Sequence, residues 1–182
     1  MKKLKFYTVS EKYVDYLRTF DNKVPILHKS LFPQPFVGVV LEISENNFFV
    51  PLFVIKKSRS KLKKHPDFLR IEQGKLGGFN FSQMIPISTS EISEVSVNLI
   101  NDKRYRKILN KQLRWCNTWR NDAKIEEKAD SLYHSYLNET LTQIRYNKCC
   151  NFPNLIKVSE KYENDFLFRS IDTAETEKLQ YN

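Results

Sequence analysis

FVGVVLEISENNFFVPLFVIKK, residues 36–57, decides the fold. Its first apolar run, Phe36 to Ile43, leads into Ser44, Glu45, Asn46 and Asn47, and the second, Phe48 to Ile55, stops at Lys56 and Lys57. β-Branched and aromatic side chains suit a pleated surface, and about four polar turn-formers between two such runs predict an antiparallel hairpin. Neither run alternates, so side chains on both faces are apolar and the strands are expected to be covered on both sides. The hairpin is therefore central, and the rest of the chain is read around it.

Upstream, Leu4 to Val9 predicts a first strand, and Ser10 caps a helix to about Phe20 whose buried face is Tyr13, Val14, Leu17 and Tyr16. Pro25, Pro33 and Pro35 make the segment before the hairpin an extended loop. Downstream, Phe68 to Glu72, Phe79 to Ile87 and Ile92 to Val97 are strand candidates, and Gly74, Gly77 and Gly78, three of only four glycines, mark a sharp backbone feature. From Asp102 the period turns helical, with Tyr105, Ile108, Leu109, Leu113 and Cys116 on one face and Lys103, Lys107, Asn110 and Arg114 opposite. Asn121 and Asp122 interrupt that helix and cap a second, whose stripe Ile125, Ala129, Leu132, Tyr133, Tyr136, Leu137, Leu141 and Ile144 should pack on the sheet. A short helix from Pro153 to Tyr162 closes the chain. The reading is an α+β fold: one domain over residues 1–166, followed by an acidic tail, 167–182, expected to be mobile.

The chain carries 30 Lys and Arg against 21 Asp and Glu, a net charge of +9 and a pI near 9.4. Such a surface favours polyanions, because neutralising phosphates releases their counterions. No apolar run approaches the roughly 20 residues that span a bilayer, and MKKLKFYTVS lacks the apolar stretch of a signal peptide, so the cytoplasm is the expected location. Cys116, Cys149 and Cys150 have no metal-ligand spacing, and reduced thiols are expected.

Six ordered segments carry a family resemblance: Lys5 to Pro25, Phe36 to Ile43, Val50 to Leu52, Met84 to Ile87, Tyr105 to Leu113 and Cys150 to Phe152. Together they resemble the ToxN/AbiQ endoribonuclease toxins of type III toxin-antitoxin systems. The resemblance implies a strongly twisted antiparallel sheet, partly barrel-like and similar to MazF and Kid toxins, packed with helices. It also implies RNA cleavage without metal or other cofactor, inhibition by a small repeated RNA antitoxin, action in abortive infection against phage, and a toxin-RNA assembly that includes closed hetero-oligomers. In the family, the strand that here ends at Leu52 continues into a Thr/Ser pair; this chain has Phe53, Val54 and Ile55 there before Lys56. A family lysine ahead of the first hairpin strand aligns with Gln34, with Lys29 upstream.

Metal-free cleavage of RNA uses the substrate's own 2′-hydroxyl as nucleophile. The protein must align the attack, stabilise charge on the phosphoryl oxygens and assist two proton transfers. Lys56 at the strand end is the expected phosphate stabiliser, supported by Lys57, with Tyr13 as a proton-handling or orienting residue and Ser58 as a hydrogen-bond partner. Lys29, Gln34, Arg59, Lys61, Lys63 and Lys64, and the helix residues Lys103, Arg104, Lys107, Lys111 and Arg114, are expected to contact RNA phosphates. Phe32, Phe53, Trp115 or Trp119 would stack bases where exposed. Each has a plainer reading: strand-end lysines are ordinary solvated caps, and Tyr13 on an apolar helix face is core. An RNA-binding protein of the same fold with weakened or no catalysis is the alternative, favoured by the missing hydroxyl pair. A membrane-surface or DNA-binding module lacks an amphipathic anchor or DNA-reading motif.

Overall fold

Ser44 and Glu45, with φ of 47° and 67°, turn the hairpin. Two successive residues at positive φ match the twist of the strands they join. Asn46 pairs with Ile43 and Asn47 with Glu42, so the loop is two residues rather than the expected four. The computed structural model describes residues 3–26, 37–53 and 65–179, with side chains to residue 165.

In chain order the elements are β1 (Tyr7–Val9), α1 (Glu11–Arg18), β2 (Gly38–Ile43), β3 (Asn46–Phe53), β4 (Phe68–Arg70), β5 (Gly78–Asn80), β6 (Ile85–Pro86) and β7 (Ile92–Glu94). The helices α2 (Lys103–Cys116), α3 (Asn121–Leu137), α4 (Gln143–Tyr146) and α5 (Phe152–Leu179) follow. This is the expected α+β class, with a seven-stranded antiparallel sheet. Its order, β4-β5-β3-β2-β1-β7 with β6 also on β3, has two ends among the described residues. The sheet is not closed into a barrel.

β3 is the axis of the sheet. Phe48 to Leu52 are buried without a break, and Phe48 packs its ring 5.4 Å from Tyr133 of α3 and 6.0 Å from Phe152 of α5. β2 is covered less completely than expected, because Glu42 is exposed and Val40 half-buried. Beside β3, the predicted single strand over residues 79–87 is broken. Leu52 pairs with Phe79, but Phe49 pairs with Ile85, so the register slips by three residues. Those residues, Phe81 to Gln83, form one helical turn opposite Val50 and Pro51. Pro51 has no N–H for a ladder bond, which makes this the place where the ladder can part.

Glycine is required at two close approaches. A Cβ on Gly38 would collide with the Val50 carbonyl and the Phe49 ring, and one on Gly78 with the Leu69 carbonyl and the Phe68 ring. The helix at residue 121 ends earlier than its apolar stripe suggested. Leu137 and Ile144 are 42% and 71% exposed, whereas Leu141 is buried. The last helix is longer than expected, running to Leu179. Its start explains Cys150, Asn151 and Phe152: the Cys150 N–H donates to the Ser82 carbonyl, the Asn151 side chain accepts from the Asn154 N–H, and Phe152 is fully buried.

Candidate nucleic-acid interface

α2 holds six cations, Lys103, Arg104, Arg106, Lys107, Lys111 and Arg114, and no acid. Lys103, Lys107 and Lys111 follow one another at four-residue steps, where like charges destabilise a helix by roughly 0.2–0.5 kcal/mol per pair. Lys103 and Arg104 also stand at the positive end of the helix dipole. The helix forms because other groups hold it. Asp102 caps it, Oδ1 accepting from the N–H groups of Arg104 at 2.8 Å and Tyr105 at 3.0 Å, and Tyr105, Leu109 and Cys116 are buried beneath it.

Polar contacts fix its position further. The fully buried Gln112 donates from Nε2 to the Leu76 carbonyl at 2.6 Å, while its Oε1 has no partner among the described residues. At the far end Asn117 accepts from the Leu4 N–H at 2.8 Å and donates to the Leu4 carbonyl at 3.0 Å. The basic face is thus rigidly mounted.

Lys103, Arg106, Lys107, Asn110, Lys111 and Arg114 line a groove of about 470 Å³ on that face. Four of the five helix cations expected to meet RNA come together there, while Arg104, also exposed, lies beside it. Arg106 was not singled out by sequence, although it shares the three-and-four spacing. Its guanidinium donates to the carbonyls of Ile100 at 3.2 Å and Asn98 at 3.4 Å, which steadies one wall. Among the described residues no ion pair involves a cation of α2. Trp119, just beyond the helix, is 71% exposed, with the Arg120 guanidinium 4.7 Å from its ring centre. Trp115 and Phe53 are half-buried, so Trp119 is the exposed stacking candidate among the described residues.

Tyr13 lies elsewhere, fully buried between α1, β6 and α5. Its hydroxyl is 2.9 Å from the Pro86 carbonyl and 2.7 Å from Ser159 Oγ. Having one proton, it donates to the carbonyl and accepts from the serine. Burial pushes its ionisation well above the ordinary tyrosine range. The hydroxyl is therefore poorly placed for direct proton transfer and well placed to hold α1 against α5.

β3 stays in the sheet through Phe53, which pairs with Gly78. The catalytic candidates that follow, Lys56, Lys57 and Ser58, lie outside the described residues, as do Lys29, Gln34, Phe32, Arg59, Lys61, Lys63 and Lys64. Among the described residues no helix is long and apolar enough to cross a membrane.

Comparison with known proteins gives concordant matches. The family model described as toxin ToxN of type III toxin-antitoxin systems matches residues 5–160. The endoribonuclease ToxN of Pectobacterium atrosepticum is 35% identical over 184 residues, covering 96% of this chain and all of that one. A solved chain from work on a bacterial antiviral system regulated by a processed non-coding RNA superposes with a TM-score of 0.71 at 32% identity, covering 84% of this chain and 95% of that one. A second, from a type III system in which a non-coding RNA pseudoknot selectively inhibits the toxin, gives a TM-score of 0.72 at 26% identity, covering 89% and 99%.

Proposed function

This chain belongs to the ToxN toxin family of type III toxin-antitoxin systems, and from that premise we propose how its residues divide the work on RNA. It is an endoribonuclease toxin, and its partners are RNA twice over: the substrate, and a non-coding RNA antitoxin that inhibits it. The observation that carries the residue assignment is the acid-free groove of α2, whose cations find no ion pair among the described residues. Charges held together against their mutual repulsion suit a ligand that brings compensating phosphates.

In the proposed mechanism the RNA backbone lies along Lys103, Lys107, Lys111 and Arg114, with Trp119 stacking a base. The scissile phosphate sits beyond the end of β3. Lys56 stabilises the charge that develops on its oxygens as the 2′-hydroxyl attacks, and Lys57 supports it. Ser58 supplies the hydrogen bond that the family takes from its Thr/Ser pair, a position where β3 here continues as Phe53. The products are a 2′,3′-cyclic phosphate and a 5′-hydroxyl. Tyr13 acts as a positioning residue, through its grip on α5. Lys29, Gln34, Arg59, Lys61, Lys63 and Lys64 extend the phosphate contacts. The antitoxin covers the same basic surface, since one phosphate-binding face serves substrate and inhibitor alike, and closed toxin-RNA assemblies form on it. The same reading places the toxin domain at residues 1–166, in the cytoplasm, with the sheet curved in the partly barrel-like manner of MazF and Kid.

Lys56→Ala tests the mechanism. Cleavage should fall by about 10²-fold or more, the scale of losing one donor to a developing oxyanion, while binding of uncleavable RNA falls far less. Growth arrest on expression should disappear with it. Equal losses of binding and cleavage would reduce Lys56 to a docking residue. An intact protein that leaves no 2′,3′-cyclic phosphate ends on cellular RNA would be a non-catalytic RNA binder.

A further inference from the structure

His65 and Lys148, 83 residues apart in sequence, bring imidazole Nε2 and ammonium Nζ to within 3.4 Å. Beneath them the Asp67 side chain is only 1% exposed. Arg145 grips it from one side, Nε lying 3.2 Å from both carboxylate oxygens and Nη2 2.5 Å from Oδ1. On the other side Oδ2 lies 3.6 Å from His65 Nδ1. The turn is tied to the sheet, since the Phe68 N–H donates to the His65 carbonyl and the Phe81 N–H to the Asp67 carbonyl, at 3.1 and 2.9 Å. Lys128 of α3 adds a second ammonium group, donating to the Pro66 carbonyl at 2.5 Å.

The charges here do not cancel. Asp67 is committed to Arg145, which leaves Lys128 and Lys148 positive, and a protonated His65 would add to them. Burial lowers the proton affinity of Lys128, against the attraction of Asp67 and with the repulsion of Lys124 and Arg145; Glu127 on α3 acts in the opposite sense to that repulsion. The Asp67 N–H at 3.4 Å from Nδ1 and the Lys148 ammonium at 3.4 Å from Nε2 compete for the one acceptor nitrogen of a neutral imidazole; the tautomer that accepts from Asp67 turns Nε2–H outward beside Lys148. In that tautomer His65 and Lys148 present two donors side by side, whereas in the other His65 Nε2 accepts from Lys148. His65 and Arg145 side chains are each 31% exposed, so the pair is open to solvent.

We propose that this cluster is a second anchor for an RNA backbone phosphate, whose non-bridging oxygens bridge His65 Nε2 and Lys148 Nζ beside the open edge of Arg145. The proposal rests on the RNA-cleaving reading above but concerns a separate place. β4 and β3 are both antiparallel to β5 and so parallel to each other. Arg70 and Phe53 both face Gly78, so His65, on the entry side of β4, lies away from the end of β3 after which the catalytic lysines follow. An RNA strand held at both ends would cross the sheet between them.

The test uses the intact protein with His65→Gln and Lys148→Ala together, and a random-sequence 2′-O-methyl RNA pool, which binds without being cleaved. Lys148 is exposed and Asp67 keeps its Arg145, so the variant should fold. The expected results are a roughly threefold to tenfold loss of affinity and a salt slope lower by about 0.7, the value of one single-strand phosphate. Inorganic phosphate alone should shift the His65 ring resonances and leave those of His134 in place. Unchanged slope and unshifted resonances would overturn the second anchor even if Lys103, Lys107 and Lys111 variants still weaken RNA. A phosphate shift without an effect on RNA would make this an anion site off the RNA path, and would also overturn the proposal. Failure of the wild type to bind the pool at all would instead overturn the RNA reading itself.

Discussion

Gln112 reaches from the buried side of the basic helix to the Leu76 carbonyl, 2.6 Å away and 36 residues earlier in the chain. This bond joins α2 to the turn that precedes β5, so the helix that presents the groove is registered on the sheet built around β3. Its Oε1 is buried without a partner among the described residues. The side chain therefore gives positional specificity at some expense in stability.

Replacing Gln112 separates these two effects. Gln112→Ala strands the Leu76 carbonyl and opens a cavity, and should lower unfolding stability in urea by about 3 kcal/mol. Gln112→Met keeps the volume and removes the unpaired oxygen, and should lose about 1 kcal/mol. An alanine variant as stable as the methionine variant would show that the cavity collapses.

Lys107→Ala with Lys111→Ala relieves a like-charge step on α2. Thermal stability should hold or rise, by up to roughly 0.5 kcal/mol, while RNA binding weakens and its salt slope falls by about 0.7 for each lost phosphate contact. Stability and binding should thus move in opposite directions. A salt slope equal to wild type would take this groove out of the interface.

Alkaline pH should unfold the protein progressively. Burial pushes the Cys116 and Cys149 thiols from 9.0 up to about 12 and the Tyr105 hydroxyl from 10.0 to about 12, and raises Tyr13 and Cys150 further. Between the unfolded and folded values the unfolded chain binds fewer protons, so stability falls as pH rises. The contribution is intact below about pH 9 and declines above it by up to roughly 1.4 kcal/mol per pH unit for each group. Unfolding midpoints measured from pH 7 to 11 should show this slope, and Cys116→Ala should reduce it.

Tyr13→Phe removes a hydroxyl that joins Pro86 and Ser159. It should destabilise the fold by about 1–2 kcal/mol, with cleavage per folded molecule reduced no more than a few fold. A loss of about 10²-fold at unchanged stability would instead assign Tyr13 to proton transfer.

The hairpin and the amphipathic α2 were legible because both follow from local spacing. Phe36 to Lys57 shows its strands by side-chain type, and α2 shows its basic face by period. The break between β5 and β6 was hidden, because Phe79 to Ile87 is apolar throughout and only the partner strand reveals the three-residue slip. Gln112 was missed because its neighbours define an apolar face and nothing local announces Leu76. Asp67 and Arg145 were missed for the same reason, with 78 residues between them. Tyr13 illustrates the converse: its burial was legible from helix spacing, while the identity of its hydroxyl's partners required the fold.

The contact between Tyr13 and Ser159 also sets a clock. The two residues are 146 positions apart, and at about 5–20 residues per second a ribosome needs roughly 7–30 s to go from one to the other. Until then α1 has no α5 to pack on and the core behind the sheet is unfinished. A nascent chain cannot present the completed fold before Ser159 has been made. An RNA inhibitor already present in the cell has that interval in its favour.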